Sequence, residues 1–179
     1  MGTRAAIARI QGDGWKGVYH HWDGYPTGLG ETLFKRAQQI PVTEMLRFLI
    51  DEHPAGWSTI NSCDWEAAPG FKEEGFTSKG PEGYCHGGRS EEAQPVTHAD
   101  DMGMEWAYVF DESSRSMAVL ERVRITGTEG VPVGTHAIGA FGSLGLNPDS
   151  KERDDAWVIR VVVPLDGPEP DWEQIEGAQ

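Results

Sequence analysis

Positive charge is scarce in this chain. Its 179 residues include 15 lysines and arginines against 29 aspartates and glutamates, a formal net charge of −14. Such a surface repels nucleic acid and anionic membranes unless a local basic patch overrides it, so neither is expected as a partner. Cysteine is nearly absent as well. Cys63 and Cys85 are too few for a disulfide scaffold and are compatible with a reducing compartment. No apolar run approaches the roughly 18 residues that suggest a membrane span. The opening MGTRAAIARIQGDG lacks the apolar stretch of a secretory signal, so the expected setting is cytoplasmic. No internal repeat is visible. Glycine (23) and proline (11) are plentiful, which favours many turns and short elements over long bundles or coiled coils. An apolar fraction of 38% is low but sufficient for one packed core, read as a single domain over 1–165. Residues 166–179 follow as an acidic, mobile tail, since no basic residue occurs after Arg160.

Hydrophobic patterning supplies the elements. The Ala/Ile-rich stretch from Thr3 to Ile10 and the aromatic stretch from Trp15 to Trp22 flank Gln11-Gly12-Asp13-Gly14, which predicts a hairpin whose Asp-Gly supplies positive φ. Thr27 is placed to cap a helix over about 28–39, with Leu29, Leu33, Phe34 and Ala37 on one face and Pro41 as the stop. Thr43 is placed to cap a second over about 43–53, closed by His53-Pro54. Residues 55–103 show no sustained periodicity and are expected to form a long ordered loop region. Met104–Phe110 and Ser116–Leu120 predict a second hairpin across Asp111–Arg115, and Trp157–Val163 reads as a largely buried strand. Without βαβ alternation, the economical fold class is α+β, a mainly antiparallel sheet with both helices on one face.

Two familiar patterns fail on context. Gly12-Asp13-Gly14-Trp15-Lys16-Gly17 matches G-x-G-x-x-G, but it runs into β-prone residues where a dinucleotide fingerprint would open a helix. Gly142-Ser143-Leu144-Gly145 has Phe141 where a nucleophile elbow needs glycine.

Two polar clusters stand out. In His20-His21-Trp22-Asp23-Gly24-Tyr25-Pro26, strand alternation puts His21 on the side of Tyr19 and His20 on the side of Trp22, so only one histidine faces a given site. Asp23 can orient a histidine, pair with Arg4, or order the turn. The competing reading makes Trp22 core and Asp23 and Pro26 turn residues. Just beyond, Gly28 and Gly30 sit at a helix start, where free amides can hold an anion, although Glu31 already complements the helix dipole. The second cluster, Tyr84-Cys85-His86-Gly87-Gly88-Arg89, offers a thiol, an imidazole and a guanidinium among glycines, against a plain surface loop with Arg89 paired to Glu91 or Glu92. Cys63, Cys85 and His86, with His20, His21 or His98, have the ligand types for zinc but lack compact ligand spacing, so no metal is assigned.

Met1-Gly2-Thr3-Arg4 followed by Trp22-Asp23-Gly24-Tyr25-Pro26-Thr27-Gly28-Leu29-Gly30 resembles a widespread uncharacterised family of actinobacteria, their phages and some fungi, whose members begin MGTR and carry W-D-G-Y-P-x-G-x-G. Cys85–Arg89 and Glu105–Val109 are similar to segments of its longer actinobacterial and phage members, so the resemblance reaches to about residue 120. It implies a bacterial or phage cytoplasmic setting and a site joining the Trp22-Asp23 turn to the Cys85-His86-Arg89 loop. It transfers no activity. Gly88 stands where the resemblance leads one to expect an acidic residue, which argues against a catalytic carboxylate in that loop.

The expectation that follows is a polar pocket that binds or processes a small anionic ligand. Arg89 and Arg4 hold the anion, His86 or His21 moves protons, and Asp23 orients one of them, with Trp22, Tyr25, Gly28 and Gly30 lining the ligand. The rival is an acidic interaction or decoy protein of phage counter-defence type that binds a basic host protein. Dispersed lysines and arginines weaken that rival, because a strong mimic of DNA concentrates its charge on one regular face.

Overall fold

A computed structural model describes residues 2–12, 14–60, 84–85, 95–100, 102–124 and 155–177, with backbone only at 84, 85, 124, 155 and 156. Cys63, His86, Arg89, the Cys85 side chain and the Gly142–Gly145 segment lie outside the described residues.

The strands are β1 (Ala5–Gln11), β2 (Gly14–His20), β3 (Trp57–Thr59), β4 (Tyr84–Cys85), β5 (Val96–Thr97), β6 (Trp106–Asp111), β7 (Ser116–Arg124) and β8 (Asp155–Pro164). They form one sheet in the order β4-β3-β2-β1-β6-β7-β8, with β5 also on β2. Only β1 with β6 and β2 with β3 run parallel; the other pairs are antiparallel. This is the expected α+β architecture. Both predicted hairpins form. In the first, Gln11 pairs with Gly14 and Gly12 adopts a positive φ of 62°, while Asp13 of the expected Asp-Gly turn lies outside the described residues. In the second, the Asp111 carboxylate accepts from the Ser113 amide and hydroxyl and the Ser114 hydroxyl, which ties the turn.

The helices cover one sheet face. A π-helical turn (Pro26–Gly30) leads into α1 (Glu31–Gln39), and α2 (Val42–Leu46) continues as a second π-helical segment (Arg47–Asp51). Leu33, Phe34, Met45, Leu46 and Leu49 pack onto Ile7, Trp57, Tyr108, Phe110 and Val119 in one buried cluster. Truncating one such side chain typically costs about 2–5 kcal/mol. Neither predicted threonine cap forms. The second helix is entered from Pro41, whose carbonyl accepts the Met45 amide at 3.0 Å, so Thr43 lies inside the helix. The Thr27 hydroxyl has a different partner, described below.

Alternation along β1 and β2 sends the other set of side chains, Ala6, Ala8, Trp15 and Tyr19, to the opposite face with Ala107, Ala118, Leu120 and Trp157. There the rings of Trp15 on β2 and Trp157 on β8 meet edge to face at 5.6 Å, although three strands separate them. The sheet therefore curls, and the small alanines in its middle leave room for the two indoles.

β8 departs from the expected buried strand: it ends the described strand order, and Ile159 to Val162 are partly exposed. Its continuous apolar run has a local cause. Val119 pairs with Val161 and Leu120 with Ile159, so Arg160 is an unpaired bulge residue that flips the alternation. Ile159 then packs on one face and Val161 on the other.

The acidic C-terminus is also more than a tail. Residues Trp172–Gly177 form α3, and Trp172 is buried edge to face on Phe34 at 5.8 Å. Among the described residues no helix is long and apolar enough to cross a membrane.

Candidate functional site

The end of the first hairpin carries the site. Ala5 pairs with His20, so one further step in the same register sets Arg4 opposite His21. Ala6 and Tyr19 belong to the face away from the helices, and alternation puts Arg4 and His21 on that same side. The Tyr19 hydroxyl lies 2.8 Å from His21 Nδ1. The Arg4 guanidinium stands beside that hydroxyl; burial raises the Tyr19 pKa above its ordinary value, and Arg4 partly opposes the rise. Tyr19 thus keeps its proton.

The Tyr19 hydroxyl and His21 Nδ1 share one hydrogen bond, in which either can donate according to the imidazole tautomer. Arg4 brings a guanidinium, which only donates, to the same side, a group that suits an anion.

Arg4 is distinctive in a second way. Arg9, Arg47, Arg115 and Arg160 each hold a carboxylate, respectively Asp51, Glu52, Asp166 and Glu121. Among the described residues Arg4 is exposed and has no carboxylate partner. In so acidic a chain, a guanidinium with no carboxylate partner among the described residues is informative.

Trp22 is exposed rather than core. Its indole meets the His21 ring edge to face at 4.5 Å, and the Gly2 backbone lies so close that a Cβ there would stand 2.2 Å from Trp22 Cε3. His20, by contrast, is fully buried and accepts the Ile60 amide through Nε2 at 3.0 Å. The two neighbouring histidines divide into one structural and one outward-facing residue, as alternation required.

The turn beyond is a structural joint. Asp23 adopts φ of 55°, its carbonyl accepts the Leu29 amide at 3.1 Å, and its carboxylate faces the Tyr25 hydroxyl, whose pKa is raised by burial and by that charge. The Gly24 carbonyl accepts from the buried Tyr108 hydroxyl at 2.8 Å. Gly28 and Gly30 direct their amides to the Tyr25 carbonyl at 3.0 and 3.5 Å, and Gly30 is packed against Tyr108 and Trp172. The Thr27 amide and hydroxyl donate to Glu176 at 3.2 and 2.7 Å. A carboxylate of the chain itself therefore holds the Thr27 donors at the helix start, where an external anion was expected.

Among the described residues no three histidine, cysteine or carboxylate side chains converge as a metal site. Sequence reasoning missed Glu176 and the linking role of Tyr19; only Tyr19 had a readable signal, its i, i+2 spacing from His21. Compared with protein-family models, curated proteins and solved structures, the chain matches none.

Proposed function

We propose that this protein binds a small anion at the corner formed by Arg4, Tyr19 and His21, beside Trp22. The observation that carries the reading is the convergence of the Arg4 guanidinium with the hydrogen-bonded Tyr19–His21 pair, Arg4 having no carboxylate partner among the described residues. Arg4 supplies the charge. In this reading the Tyr19 hydroxyl donates to His21 Nδ1, which leaves the His21 Nε2–H as a second donor. The resemblance to the MGTR family fits this placement, since its N-terminal motif spans these residues.

Isothermal titration calorimetry with inorganic phosphate tests the reading. Wild-type protein is expected to bind, Arg4→Gln to lose at least tenfold in affinity, and Tyr19→Phe to lose less. Absence of binding, or equal affinity in Arg4→Gln, would overturn it.

A further inference from the structure

Among the described residues, the two large hydrophobic side chains left exposed are Trp22 (46%) and Met102 (48%). A single exposed apolar side chain is ordinary, but Trp22 stands beside the anion corner. Gly2, which touches the Trp22 ring, lies two residues before Arg4, and the ring meets His21. Trp22 is also braced. The Gly2 backbone lies against the ring and His21 stands at its edge, so the exposed part of the indole is a fixed flat surface rather than a loose side chain.

Resting on the anion-binding reading, we infer that the ligand is a planar ring bearing an anionic group, with the ring stacked on Trp22 and the anion held by Arg4 and His21. A flat π-surface prefers a flat partner in offset or edge geometry. A held indole loses little freedom on binding, so most of the stacking is retained as affinity. The anionic group can be a phosphate or a carboxylate, since the donors are the same for both.

The test compares ring-bearing and ring-free anions on the full chain by calorimetry: adenosine monophosphate against inorganic phosphate, and benzoate against acetate. Stacking on an aromatic side chain is expected to tighten at least one ring-bearing ligand by about tenfold over its control. The pair that responds identifies the anionic group. Trp22→Ala should abolish that preference while inorganic phosphate still binds. Gly2→Ala, which drives a methyl into the indole, should reduce it without touching Arg4 or His21. If phosphate binds but neither ring adds affinity, or if the preference survives Trp22→Ala, the ring inference fails and the anion site stands. If no anion binds, both fail.

Discussion

Two places in this molecule are rich in hydrogen-bond donors, and they serve opposite ends. At the start of the first helix, the Thr27 amide and hydroxyl are consumed by Glu176 and the Gly28 and Gly30 amides by the Tyr25 carbonyl. At the end of the first hairpin, Arg4 holds no carboxylate among the described residues and His21 uses only Nδ1. The helix start is a joint that fastens the C-terminus, whereas the hairpin corner is where we propose that donors are kept for an external anion. What separates them is the availability of the donors rather than their number.

The largest effect should come from removing the anchor of the joint. Trp172→Ala strips a buried indole from Phe34 and Gly30 and is expected to lower stability by about 3–5 kcal/mol in urea unfolding. A loss below about 1 kcal/mol would show that α3 merely rests on the surface. Next, Thr27→Val removes a hydroxyl bonded to a charged carboxylate and should cost about 1.5–3 kcal/mol, measured in the same way.

A third experiment contrasts the outward-facing His21 with an inward one. His53 lies between Phe48 and Trp57, with ring centroids at 4.6 and 4.5 Å, and its Nδ1 meets the Phe48 carbonyl at 2.7 Å. Burial lowers its pKa, against smaller opposing contributions from that carbonyl and Glu52. Below about pH 6.5 the unfolded chain takes up a proton that the folded chain refuses, so stability falls as pH drops, until the lower folded pKa is reached. The slope from this residue is at most about 1.4 kcal/mol per pH unit, and His53→Gln should remove it from the pH profile of unfolding. The smallest effect belongs to the corner itself. Arg4→Gln should change stability by no more than about 0.5 kcal/mol, since an exposed guanidinium with no ion pair among the described residues contributes little to the fold. A loss of several kcal/mol would make Arg4 part of the framework.

Sequence made the local features legible and hid those set by long-range pairing. Period-two alternation and turn residues revealed both hairpins, and i, i+4 spacing revealed both helices, because these signals lie within a few residues. The same alternation separated His21 from His20. Arg160 could not be read as a bulge, since the bulge exists only through the pairing of β8 with Val119 and Leu120. The acidic composition of the C-terminus masked Trp172 and Ile175, whose i, i+3 spacing was the one sign of a docked helix. Gly28 and Gly30 looked like an anion cradle because the residue that fills the helix start, Glu176, lies 149 positions from Thr27.

The most direct test of the contrast between joint and corner is a nitrogen-15 NMR titration of the wild-type chain with inorganic phosphate. Progressive shifts at the Trp22 indole, the His21 ring and the Arg4 side chain, with Thr27, Gly28 and Gly30 amides unmoved, are the expected result. Shifts centred on Thr27, Gly28 and Gly30, with the hairpin corner silent, would contradict it.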